Sequence, residues 1–94
     1  MDKFTAFFKQ HGYTDIECVI LNLFYYQEQS SYTFFEIRKN TGLPKNILNR
    51  SLNHFIKINE LTFIKDETSR KRLFSIPESA ILKTKVAHFK ITSN

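Results

Sequence analysis

The stretch "NTGLPKNILNRSLNHF", residues 40–55, concentrates side chains suited to polar chemistry. Asn46, Asn49 and Asn53 each carry an amide that donates and accepts side by side. Lys45, Arg50 and Lys57 add positive charge. Asparagine is a poor helix former, yet the apolar residues here recur at helical spacing, so the amides need a job that outweighs their propensity cost. At about 100° per residue and with Lys45 as origin, Asn49, Asn53, Asn46, Lys57 and Arg50 fall within about 140° of arc. Ile47, Leu48, Ser51, Leu52, Phe55 and Ile58 occupy the opposite side, and only Ile56 and His54 blur the division. The spacing predicts a helix over 44–58 with one dry face and one face of Asn, Lys and Arg.

Charge along the chain supports an anionic partner for that face. The net charge is +5, but residues 1–36 hold two basic and five acidic side chains, whereas residues 37–72 hold nine basic and three acidic. A concentrated positive middle is what a phosphate-binding surface needs, because neutralising phosphates releases condensed counterions.

Other chemistries find little footing. His11, His54 and His88 lie on separate elements with no Cys or carboxylate at ligand spacing, so no metal site is expected. With two glycines in the whole chain there is no phosphate-cradling loop, and no nucleophile motif is present. Glu17 and Glu36 belong to capping boxes. The single Cys18 is expected to pack in the core or an interface, with a redox-sensing thiol as the alternative. The chain is not expected to be an enzyme or to hold a cofactor, and no small-molecule effector is readable. No apolar run reaches the ~20 residues that span a bilayer, and one cysteine cannot staple a fold. A soluble, cytoplasmic protein is the expectation.

Ninety-four residues suit one small domain whose core is supplied by ten Phe, four Tyr and many Ile and Leu. Phe4, Phe7 and Phe8 predict a short helix over 2–11 that Gly12 ends. Thr14 and Glu17 form a capping box for a helix running to about Gln27. Its main apolar stripe is Ile16, Val19, Ile20, Leu23 and Phe24, and Cys18, Leu21 and Tyr25 line the other side, so two faces should be covered. "QEQSSY" reads as a polar connection. Thr33 and Glu36 make a second capping box for a short helix to residue 40 or 41, stopped by Gly42. After the 44–58 helix, Asn59 suits a left-handed cap. Residues 61–65 and 72–76 read as the strands of a hairpin with "DETSRK" as its turn, and Pro77 leads into a last helix over 78–90.

This arrangement, with the motif "IRKNTGLPKNILNRSLNHF" followed by a hairpin carrying "SRKR" at its tip, resembles a winged helix-turn-helix domain. Over residues 15–76 it is most similar to small regulators of the MarR and ArsR type. The resemblance implies a mainly α fold with a small β-hairpin and extra N- and C-terminal helices, and a sequence-specific double-stranded DNA-binding protein. The 44–58 segment would be the recognition helix in the major groove. Asn46, Asn49, Arg50 and Asn53 would meet base edges, with Lys45 and Lys57 on the same face. Arg70, Lys71 and Arg72 would act from the wing, and Thr33, Arg38 and Lys39 would touch the DNA backbone. A small transcriptional regulator is the first expectation. A plasmid or phage partition or replication protein is an alternative, and a winged-helix module for protein–protein interaction is another. Because a 62-residue winged domain does not obviously cover Phe4, Phe7, Phe8, Leu82, Val86 and Phe89, these residues are expected to form a homodimer interface.

Overall fold

The second helix carries apolar side chains on nearly every side, and the rest of the chain is arranged to cover it. The computed structural model describes residues 3–27 and 29–92. Among them are five helices and one small antiparallel sheet: α1 (Lys3–Gln10), α2 (Asp15–Tyr26), β1 (Tyr32–Thr33), α3 (Phe34–Thr41), α4 (Lys45–Lys57), β2 (Thr62–Lys65), β3 (Arg72–Ser75) and α5 (Ile81–Thr92). Residue 2, the expected start of the first helix, lies outside the described residues. No helix described is long and apolar enough to cross a membrane.

Local chemistry sets the element ends. Both capping boxes form: Thr14 Oγ1 accepts the Glu17 N–H at 3.2 Å while Glu17 accepts the Thr14 N–H at 2.8 Å, and Thr33 and Glu36 repeat the exchange. At the end of α1 the Gly12 N–H bonds to the Lys9 carbonyl and the Tyr13 N–H to the Phe8 carbonyl, with Gly12 at φ +91°. This is a Schellman ending, and Tyr13 packs edge-on to Phe8 as its hydrophobic partner. The end of α4 repeats it, with Asn59 at φ +62° in the left-handed position and the Glu60 N–H on the Phe55 carbonyl at 2.8 Å. The last helix begins three residues later than its pattern suggested. Pro77 to Ala80 make a turn closed by the Ala80 N–H on the Pro77 carbonyl, and Ser79 there accepts from the Asn59 side chain.

The sheet has three strands, not the two expected. Tyr32 and Thr33 pair with Phe74 and Leu73, so the order is β1-β3-β2. In this register Tyr32, Phe63 and Phe74 share one face. Tyr32 and Phe74 are buried, and Tyr32 meets Phe24 edge-on at 5.2 Å.

The core runs from Phe4 to Val86. On α2, Cys18, Ile20, Leu21, Leu23, Phe24 and Tyr25 are buried. Ile16 and Val19, expected on its main apolar stripe, are more than a third exposed instead: each borders an open cleft, Ile16 beside α4 and Val19 beside the end of α3. Cys18 lies packed against α1, its thiol 4.0 Å from the Thr5 carbonyl.

The residues expected to bind a second copy are used within the chain. Phe4, Phe7, Phe8, Leu82 and Val86 are all buried, and Phe89 stacks on Phe7 with ring centroids 4.4 Å apart. The terminal helices cover each other and the second face of α2, so most of this apolar surface is used within the chain, while Phe89 stays partly exposed beside Phe7.

One buried charge ties these parts together. Glu60 is 6% exposed and accepts from the Tyr13 hydroxyl at 3.3 Å and from the Leu82 N–H in the first turn of α5. Burial raises its carboxyl above the ordinary 4.5, against the opposing pull of Tyr13, the Leu82 amide and Lys85. Burial, with Glu60 nearby, also pushes Tyr13 up to about 12 and Tyr25 upward.

Two measurements test this account. Phe8→Ala should cost ~3–5 kcal/mol, as for a fully buried phenylalanine, and urea midpoints of both proteins should not depend on protein concentration. A group with a raised pKa favours folding while protonated, and that contribution is lost as pH rises through the raised value. Glu60→Gln should therefore gain stability relative to the natural chain between acid below 4.5 and neutral pH, read from paired urea melts at the two ends.

Candidate nucleic-acid interface

Leu48, Leu52 and Phe55 anchor α4 in the core, and the remaining arc must face outward. Lys45, Asn46, Asn49, Arg50, Asn53 and Lys57 are all exposed. The connection from α3 is short: Gly42 sits at φ +72°, its N–H on the Arg38 carbonyl, and Leu43 and Pro44 lead directly into Lys45. A left-handed residue is what lets the chain reverse there without strain.

The polar arc divides between two clefts. Asn49 lines a groove of about 350 Å³ together with Thr33, Phe34 and Phe35 from the start of α3 and with Lys71, Arg72 and Phe74 from the hairpin. Arg50, about 100° further round the helix, faces the other way, into a cleft with Thr14, Ile16, Glu17 and His54. There His54 Nε2 stands 3.7 Å from Glu17 Oε2. Asn46 and Asn53 occupy the arc between the two.

The hairpin is pinned at its turn and along β3 by its pairing with β1. Asp66 organises the turn: its N–H bonds to the Lys71 carbonyl, its own carbonyl takes the Arg70 N–H at 2.7 Å, and its carboxylate takes the Thr68 N–H and the Ser69 hydroxyl. Those carboxylate bonds, the Ser69 hydroxyl first, hold its pKa below the ordinary carboxylate range. Arg70 adopts φ +60° and is exposed in the turn. Arg72 lies with its guanidinium 4.7 Å from the Phe63 ring centroid and faces Lys65 across the strands. Near the turn end of the hairpin, Glu36 is held below the usual range by the Thr33 N–H first, then Gln29, with the Lys71 charge contributing.

The expected site residues are thus brought together only in part. Asn49, Lys71, Arg72 and Thr33 share one groove. The Thr33 hydroxyl is engaged as the α3 cap. Arg38 and Lys39 are exposed in the last turn of α3 but do not line the groove. Lys57 lies eight residues beyond Asn49, about 12 Å along the helix. His11 caps α1 through its Nδ1 and the Phe7 carbonyl, and among the described residues no three metal-ligating side chains come together.

One residue was missed. Phe35 is 69% exposed at the mouth of the groove. The signal was available: Phe34 and Phe35 are adjacent, lie about 100° apart on a helix, and α3 buries only Ile37 fully. No protein-family model and no curated protein sequence matches the chain.

The turn geometry has a direct test. Asp66→Ala should speed hydrogen exchange at the Thr68 amide and along residues 66–71, while β2–β3 ladder amides keep their protection, as read by NMR.

Proposed function

We propose that this chain is a sequence-specific double-stranded DNA-binding protein of winged helix-turn-helix design, acting as a small transcriptional regulator. The observation that carries the reading is the shared groove: an exposed α4 amide, Asn49, stands beside two hairpin cations, Lys71 and Arg72. Base edges are read by amides and guanidinium groups, and phosphates are held by cations, so the two kinds of contact belong side by side. The β1–β3 pairing adds support, because it moors the hairpin to the connection that leads into α3. In this reading α4 enters the major groove with Asn46, Asn49, Arg50 and Asn53 against the bases. Lys71 and Arg72 hold the adjacent strand, and Arg70 reaches outward from the tip. Lys45, Lys57, Arg38 and Lys39 supply charge at the margins.

A salt titration on duplex DNA tests it. Affinity should fall steeply and linearly on a log–log scale as salt rises. Lys71→Ala should weaken all duplexes alike and lower the salt slope by about one. Arg50→Ala should instead cost ~1–3 kcal/mol on the preferred sequence and flatten discrimination among sequences. A chain that binds no duplex at low salt would sink the proposal.

A further inference from the structure

His54 stands at the edge of the α4 polar arc, about 40° round the helix from Arg50 and one turn further along. The cleft it shares with Arg50 also holds a carboxylate: Glu17 Oε2 is 3.7 Å from His54 Nε2. A carboxylate is a poor neighbour for a phosphate strand, yet the fold needs this one. Its other oxygen accepts the Thr14 N–H at 2.8 Å and closes the cap of α2. Resting on the DNA-binding reading above, we infer that His54 is a further contact residue of the interface, which holds a DNA phosphate as an imidazolium and makes binding take up a proton.

The position suits a phosphate rather than a base. Asn53 lies near the middle of the arc, and His54 is about 100° from it. A helix seated in a major groove about 12 Å wide turns the middle of its arc to the base edges and its flanks to the sugar–phosphate walls. The ring is reachable there, with 52% of its side chain exposed against 18% for Glu17. At 3.7 Å the two are too far apart for a good hydrogen bond but near enough for charge to act. A neutral imidazole leaves the Glu17 charge facing the strand. An imidazolium offsets that charge and still has a second N–H to donate, because both ring nitrogens carry protons in that form. Arg50 and Lys57, each about one turn away along α4, oppose protonation in the free chain, and a phosphate strand offsets them. Thr14, Ile16, Ile47 and Ser51 complete the cleft and carry no charge. Tyr13, which also feels Glu17, gives its hydroxyl to Glu60 and stays protonated. The complex therefore holds the proton more tightly than the free protein does. By linkage, affinity rises as pH falls, and the gain is lost as pH rises.

The experiment is calorimetry of the full chain with a duplex recovered by selection from random DNA. Runs in two buffers of different ionisation enthalpy count the protons taken up. Affinity should rise about tenfold from about pH 7.5 to about pH 5.5, the span in which histidine changes charge. His54→Gln should bind like the natural chain at the upper pH and lose both the rise and the associated uptake. His54→Lys, a fixed cation, should keep the stronger binding at both pH values. Glu17→Gln keeps the cap acceptor without the charge, so it should bind more tightly at the upper pH and move the rise to lower pH. Because Leu48, Leu52 and Phe55 anchor α4, both His54 variants should melt like the natural chain. A pH-independent affinity, or a pH dependence that survives in His54→Gln, would overturn the inference while leaving DNA binding in place. Failure to bind any duplex at low salt would instead overturn the function proposed above and this inference with it.

Discussion

The constraint on which this fold depends is that α2 must be covered on two faces. Ile20 and Leu21 sit side by side in sequence and are both fully buried, so no single packing partner satisfies the helix. One face takes α1 and α5, whose phenylalanines interleave. Phe4 meets Phe89 edge-on at 5.6 Å, and Phe8 packs beside Tyr25 at 5.9 Å. The other face takes α3, α4 and the sheet, through Ile37, Leu48, Leu52, Phe74 and Tyr32. Because α4 is held by that second layer, its polar arc has only one direction left. The outward presentation of six polar and basic side chains follows from where the apolar ones must go.

Charge separates along the same division. The acidic N-terminal third contributes carboxylates that are already committed, Glu17 and Glu36 to helix caps and Asp15 to Lys9 at 2.6 Å. The cations of the middle third have few such partners among the described residues: Lys45, Arg50, Lys57, Arg70, Lys71 and Arg72 appear in none of the ion pairs found there. Surface ion pairs contribute little to stability, so leaving these groups unpaired costs the fold little. Their field is then available to an anionic ligand. Glu60 is the exception to this surface pattern, a carboxylate inside the protein that links the ends of α1 and α4 to the start of α5.

Much of this is legible in the sequence wherever local rules decide the outcome. The two capping boxes, the left-handed Gly42 and Asn59, and the angular arc of α4 each depend on residues within one or two turns. What stayed hidden depended on distant partners. β1 is only two residues long and has no pattern of its own; its identity comes from Phe74, forty-two positions beyond Tyr32. The mutual cover of the terminal helices is not legible from a core counted over residues 15–76, because nothing local reveals that Phe89 stacks on Phe7. Ile16 and Val19 differ for the same reason in reverse: they obey helical periodicity, but they border open clefts beside α4 and α3 that leave them more than a third exposed. At the candidate site, residue types located the two contributing elements, whereas the division of the arc between Asn49 and Arg50 required the hairpin's position.

The asparagines of α4 then have a physical account that does not rest on helix propensity. Each costs under about 1 kcal/mol relative to a better helix former, and α4 begins at Pro44 without any side-chain cap. An isolated peptide of this sequence would have little reason to be helical. Inside the protein, burial of Leu48, Leu52 and Phe55 at ~1.5–3 kcal/mol each exceeds those penalties, so the exposed positions are released from any duty to hold the helix. Glutamate or lysine there would add propensity but would repel or hold a phosphate strand without regard to sequence. An amide presents a donor and an acceptor at fixed spacing, and that pairing is what distinguishes one base edge from another. A helix stabilised wholly by its dry face is therefore free to place recognition chemistry on its wet one.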